Sequence, residues 1–130
     1  MHYRIKQKGK GSEIVDGLII KKEWLNLILD GVKRWEIRST GTKKRGRIAL
    51  IESGSGLVKG DAYLSDSVII KTTSDGYSPS PFIKMFEFHR VKNPIYKINY
   101  AWTLVSCFRY PKPIPYTHPQ GAVIWVKNVL

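Results

Sequence analysis

Within Gly31-Val32-Lys33-Arg34-Trp35-Glu36-Ile37-Arg38, three ionisable side chains are spaced so that they can meet. Successive side chains of an extended strand alternate between its faces, so Glu36 and Arg38 share one face, and Lys33 stands just before the strand, close to both. A carboxylate between two cations can accept a ligand's N–H groups or hold a water, while a guanidinium orients it or pairs with phosphate. A lysine crowded by other cations and withdrawn from water is the type that gives up its proton and serves as a general base. Lys33 and Glu36 are therefore the candidate catalytic pair, with Lys33 as base and Glu36 positioning water or acting as acid. The plainer alternative is a solvated lysine beside a surface ion pair worth under about 1 kcal/mol.

Other chemistry is more diffuse. Lys43, Lys44, Arg45 and Arg47 surround Gly46 in a basic turn suited to phosphate-backbone contacts, which position a nucleic acid without reading its sequence. Tyr63, Tyr110 and Tyr116 lean toward the surface and could stack on a base, Tyr63 and Tyr116 being the candidates retained. Trp35, Trp102 and Trp125 lie in strand-like segments and are expected in the core. His2, His89 and His118 are scattered without metal-ligand spacing, so neither a metal nor another cofactor is expected. His118, between Thr117 and Pro119, reads as a structural loop residue, with acid–base work as the alternative. The single Cys107 allows no internal disulfide and reads as a core thiol. Ser53-Gly54-Ser55-Gly56 lacks the ending of a phosphate-binding loop.

The elements that must position these groups follow from periodicity. Leu18-Ile19-Ile20 is a short apolar strand. Residues 23–30 form a helix on a Trp24, Leu27, Ile28 stripe, ended by Gly31 at the position that calls for a left-handed residue. Residues 34–38 alternate with period two, so Trp35 and Ile37 are expected to face the core, and Arg34, Glu36 and Arg38 the outside. Residues 47–51 are an apolar strand buried on both faces. Residues 57–64, with Gly60 as a bulge or close approach, and residues 68–72 are two further strands. Ser80-Pro81 starts a second short helix running to His89. Residues 91–99 are irregular and residues 100–107 a strand. Residues 110–119, with four prolines, form an ordered extended loop, and residues 122–126 a closing strand. About six short strands and two short helices predict an α+β fold, a small and mostly antiparallel barrel or sandwich. Residues 1–16 read as a basic, loosely docked arm and residues 17–130 as one domain.

The chain has 130 residues, of which 42% are hydrophobic, enough for a core without cross-links. Its first residues lack the apolar segment of a secretory leader, and no apolar run approaches a membrane span. With the lone cysteine, this predicts a reducing, cytoplasmic setting and no membrane partner. Twenty-two Lys and Arg face ten Asp and Glu, giving a formal charge of +12. Seven of those cations fall between Lys33 and Arg47, and no acid follows Glu87. Such a distribution favours a polyanionic partner, foremost a nucleic acid, over a merely solubilising surface. A monomer is favoured.

The segment from Gly31 to Arg38 resembles the G-x-K-x-x-E-x-R signature of the ASCH family. The resemblance extends to the strand-and-helix lead-in from residue 18, to Arg45-Gly46-Arg47-Ile48-Ala49-Leu50-Ile51, to Val58-Lys59-Gly60-Asp61-Ala62, and to the stretch from Pro113 to Val126. It implies a PUA-like pseudo-barrel with a cleft lined by Lys33, Glu36 and Arg38, flanked by Lys21 and Trp24, and binding to RNA. It also implies enzymatic alternatives, a ribonuclease or a hydrolase of a modified nucleoside. Glu36 stands where the acetylcytidine-hydrolysing branch has its threonine, which speaks against that activity. A protein-interaction module for an acidic partner is the third reading.

Overall fold

A computed structural model describes residues 14–71 and 98–130. The expected second helix, the loop before it, most of the irregular segment after it and most of the basic arm lie outside the described residues; Ile98 and Asn99, read as irregular, belong to a strand. The described chain forms β1 (Gly17–Ile20), α1 (Lys22–Leu29), β2 (Trp35–Arg38), β3 (Gly46–Glu52), β4 (Leu57–Lys71), β5 (Ile98–Pro115) and β6 (Trp125–Val126). The strands make one mixed sheet in the order β2-β5-β4-β3-β1-β6. Only β1 and β3 pair in parallel, Gly17 opposite Ala49 through Ile20 opposite Glu52; every other pair is antiparallel. The fold is thus mostly β with one helix among the described residues, as the α+β, PUA-like expectation requires. The ladder does not close into a barrel.

Hydrophobic burial runs through the middle of the sheet. Ile48, Ala49, Leu50 and Ile51 of β3 are fully buried, which confirms a strand covered on both faces. Leu18 and Ile20 of β1 join Ile48, Leu50, Leu64 and Leu104 beneath α1. On the other face, Ala49, Ile51 and Val58 pack with Val15, Tyr110 and Val126. The helix buries Leu25, Ile28 and Leu29, while Trp24 and Leu27 are half-buried. Its buried stripe is therefore rotated from the one periodicity gave: Leu25 and Leu29 enter the core with Ile28, and Trp24 only flanks it.

Two readings of β-structure need correction. Residues 57–71 are one strand rather than two, and β5 runs on to Pro115, into the region read as a proline-rich loop. Bulges reconcile the long strands with their irregular sequences: pairing slips between Val58 and Gly60, Asp61 and Tyr63, and Leu64 and Asp66. Ser106, at φ 52°, lies in the second of these slips. The prolines are tolerated because β2 pairs with β5 only over Tyr100–Thr103, so beyond that point one side of β5 needs no amide donor from that neighbour. At the chain end only Trp125 and Val126 pair, fewer than expected.

Gly60 is a close approach as well as a bulge: a Cβ there would clash with the Phe108 carbonyl oxygen and lie 2.8 Å from Leu29 Cδ2. Backbone cannot yield as a side-chain tip can. Gly60→Ala is expected to lower stability by roughly 1–3 kcal/mol, read as a shifted midpoint in urea unfolding with an unchanged slope.

Candidate functional site

The path to the site begins where α1 stops. Gly31 takes φ 80°, the left-handed value no side chain favours. Its amide donates to the Ile28 carbonyl at 3.1 Å and the Val32 amide to the Leu27 carbonyl at 2.9 Å. This is the Schellman pattern of bonds, and it turns the chain sharply out of the helix. The Lys33 amide donates to the same Leu27 carbonyl at 3.0 Å, which fixes the lysine backbone under the helix end. Two residues later β2 pairs with β5, Glu36 opposite Trp102 and Arg38 opposite Tyr100.

The three signature side chains do converge. Lys33 Nζ donates to the Trp35 carbonyl and lies 3.5 Å from Glu36 Oε1, and Arg38 Nε donates to Glu36 Oε2 at 2.9 Å. The far end of the Arg38 guanidinium donates to the Ile19 carbonyl of β1 at 2.7 Å. The expected facing of β2 is reversed, however. Lys33 is 2% and Glu36 6% exposed, whereas Trp35 and Ile37 are only half-buried. The trio is an inward ion chain, and Arg38, its side chain 18% exposed, is the member nearest solvent. Period two alone names two faces without saying which is inside; compensating cations let the charged one go in.

Arg38 also lies against an aromatic pile. Its Cζ is 5.6 Å from the Trp102 ring centroid, Trp102 stacks on Trp125 at 5.9 Å and 14°, and Lys44 Nζ sits 5.0 Å from the Trp125 ring centroid. Cation–π attraction at each end and indole stacking between them lie across the gap between β5 and β6. Trp102 is core, as expected, and donates its indole N–H to the Thr40 carbonyl at 2.9 Å.

The basic turn is split. Arg47 turns inward, donating to Asp61 Oδ2 at 2.9 Å, and the Tyr110 hydroxyl donates to the same oxygen at 2.9 Å. Burial foremost, then the Asp61 charge, pushes the Tyr110 hydroxyl far above the usual phenol range. Tyr110 is therefore a core group rather than a surface stacker, and Arg47 is committed to Asp61. Lys44 pairs with Asp16 at 2.6 Å, and Arg45 reaches Asp66 at 3.4 Å. Lys43 is exposed, as are Lys21 and Tyr63. Cys107 is half-buried against the core. Among the described residues no group of three or more His, Cys, Asp or Glu is placed to hold a metal ion.

A family model for the ASCH domain matches residues 18–115. The chain belongs to the ASCH-domain family. Two solved structures share the ASCH fold at low identity. A tyrosine-to-phenylalanine mutant of the ASCH protein from Zymomonas mobilis is 18% identical, with 79% of this chain and 76% of that one aligned at a TM-score of 0.54. A further structure of ASCH from Zymomonas mobilis is 20% identical, covering 77% and 72%, at a TM-score of 0.52. No curated protein matches. No helix among the described residues is long and apolar enough to cross a membrane.

Removing one partner of a buried ion pair leaves the other charge stranded. Glu36→Ala is expected to cost about 3–5 kcal/mol, and adding Lys33→Met to recover part of it, both read by urea unfolding. Asp16 gives a pH signature. Burial, the largest influence, works to raise its carboxyl, but the Lys44 hydrogen bond, the Asn128 amide and the charges of Lys44 and Lys127 together bring it below the ordinary 3.8. A depressed carboxylate contributes stability above its unfolded value, lost as pH falls through the folded value. Asp16→Asn is thus expected to lower the melting temperature at neutral pH, with the difference from wild type shrinking only as pH falls below 3.8 and on through the lower folded value.

Proposed function

We propose that this ASCH domain binds RNA, or another nucleic acid, through its cationic surface. The observation that carries this reading is how its acids are spent. Asp16, Asp30, Glu36, Glu52, Asp61 and Asp66 each sit in an ion pair with a lysine or arginine of the same chain. Lys21, Lys22, Arg34, Lys43, Lys112 and Lys127 are exposed. Among the described residues these exposed cations face only three exposed carboxylates, Glu23, Asp30 and Asp66, the condition under which a surface collects polyanions. Arg38 reaches the rim of this surface, held in place by Glu36 and Ile19. A cytoplasmic setting, where RNA is plentiful and a lone thiol stays reduced, fits the reading.

Lys33 and Glu36, the pair suited to hydrolysis, do face each other, but both are withdrawn from solvent and Lys33 Nζ donates to the Trp35 carbonyl. Binding is accordingly placed ahead of RNA cleavage. Fluorescence anisotropy with labelled single-stranded RNA provides the test. Affinity is expected to fall linearly in log–log form with salt, and Lys43→Gln and Lys112→Gln each to flatten the slope by about 0.7 if each meets one phosphate. Absence of binding at low salt would end this reading. Pull-down of a partner that survives nuclease treatment would turn it toward an acidic protein.

A further inference from the structure

A hollow of about 440 Å³ opens beside β1, between the β3–β4 turn and the chain that follows β5. Its size falls within the roughly 300–1,000 Å³ of small-molecule sites. Ile19, Ala122 and Val123 supply apolar walls, and Ser53, Gly54 and Gly56 a wall with little side chain. Tyr116 and His118 close it with two rings 5.7 Å apart. Tyr116 and everything after it lie beyond the residues the family model matches.

The hydrogen bonds of the two rings fix their polarity. His118 Nε2 lies 2.9 Å from the Ala122 carbonyl oxygen, which can only accept, so Nε2 carries a proton. In the neutral imidazole Nδ1 is then the acceptor, and the Tyr116 hydroxyl, 2.8 Å away, donates to it. Burial pushes that hydroxyl above the usual phenol range, so it remains a hydroxyl. Its proton spent on His118, the Tyr116 oxygen has only lone pairs to offer a ligand. The hollow thus combines a flat aromatic wall, apolar sides and one acceptor, which suits a planar ring bearing an N–H on its edge.

Cations stand where a backbone would run. The Ile19 side chain lines the hollow while its carbonyl holds Arg38, so the hollow and the signature meet at one residue. The Ser53 amide donates to the Ile20 carbonyl, which places the exposed Lys21 beside the hollow's rim.

We propose that this hollow seats a nucleobase with its face along the Ile19 and Val123 walls and its edge toward Tyr116, an edge N–H bonded to the Tyr116 oxygen. The base could belong to a strand, where the inference rests on the RNA-binding reading, or to a free nucleoside, where it does not. Anisotropy is measured with a single-stranded RNA and with the same backbone carrying abasic positions. Wild type is expected to prefer the intact strand. Tyr116→Ala, which removes the edge acceptor, is expected to lose roughly 2- to 10-fold on the intact strand and to narrow its preference over the abasic one. Tyr116→Phe, which keeps the ring, is expected to lose roughly 2- to 10-fold. Lys21→Gln should weaken both strands equally. If a folded Tyr116→Ala protein binds intact RNA as wild type does, the inference is overturned and the cationic-surface reading stands. If that variant does not fold, the abasic comparison on wild type and the Tyr116→Phe loss decide. If wild type binds no RNA, free nucleosides are titrated by NMR: shifts of the Tyr116 and His118 ring signals support the hollow, and unchanged signals overturn it.

Discussion

The carboxylate of Glu36 is the group on which the rest of the structure depends. It is withdrawn from water between Lys33, delivered by the turn that ends α1, and Arg38, further along β2. Burying one such charge alone is prohibitive; burying it between two cations, each of which gives a further donor to the Trp35 or Ile19 carbonyl, is permitted. The Arg38–Ile19 bond matters most for architecture. β2 stands at one end of the strand order and β1 is next to the other end, yet one guanidinium spans them. The sheet is curled until its ends meet, and side chains rather than backbone pairing close it. The Trp102–Trp125 stack, between β5 and β6, makes the same kind of closure.

That geometry explains which parts of the molecule could be read from its sequence. The β1–α1–β2 passage was legible because its signals are local: an apolar triplet, a helical stripe, a glycine at φ 80° and an alternating strand. The convergence of Lys33, Glu36 and Arg38 was legible for the same reason. Which way β2 faces was not, since the decision rests on the Ile19 carbonyl, distant in sequence. The commitment of Arg47 to Asp61 was hidden too, though an aspartate in an otherwise apolar stretch of β4 is a signal that a cation must come to meet it. Breaks were placed between Leu64 and Val68, at Ser65-Asp66-Ser67, and at the prolines from Pro111 onward, where local propensity disfavours a strand. Bulges and a partly unpaired side of β5 absorb those residues instead.

Charge in this domain therefore has two separate uses. Acids are scarce, and the described ones are largely engaged inside the chain, at the sheet closure, beside Tyr110 and at the Asp16 junction where Lys44 and the Asn128 amide meet. Cations are in excess, and among the described residues Lys21, Lys22, Arg34, Lys43, Lys112 and Lys127 are exposed. The internal pairs fix shape, and the surplus sets the surface potential. Tyr116 and His118 belong to neither use: they are tied to each other and to the Ala122 carbonyl.

The strand order has a consequence for behaviour at high concentration. Its two outermost strands are short, four residues in β2 and two in β6. An exposed rim of unpaired amides and carbonyls is a template on which neighbouring molecules can polymerise. Here the long ribbon of β4 and β5 is held in the interior of the order. The side of β5 that β2 leaves uncovered beyond Thr103 carries Pro111, Pro113 and Pro115, which have no amide to offer an added strand.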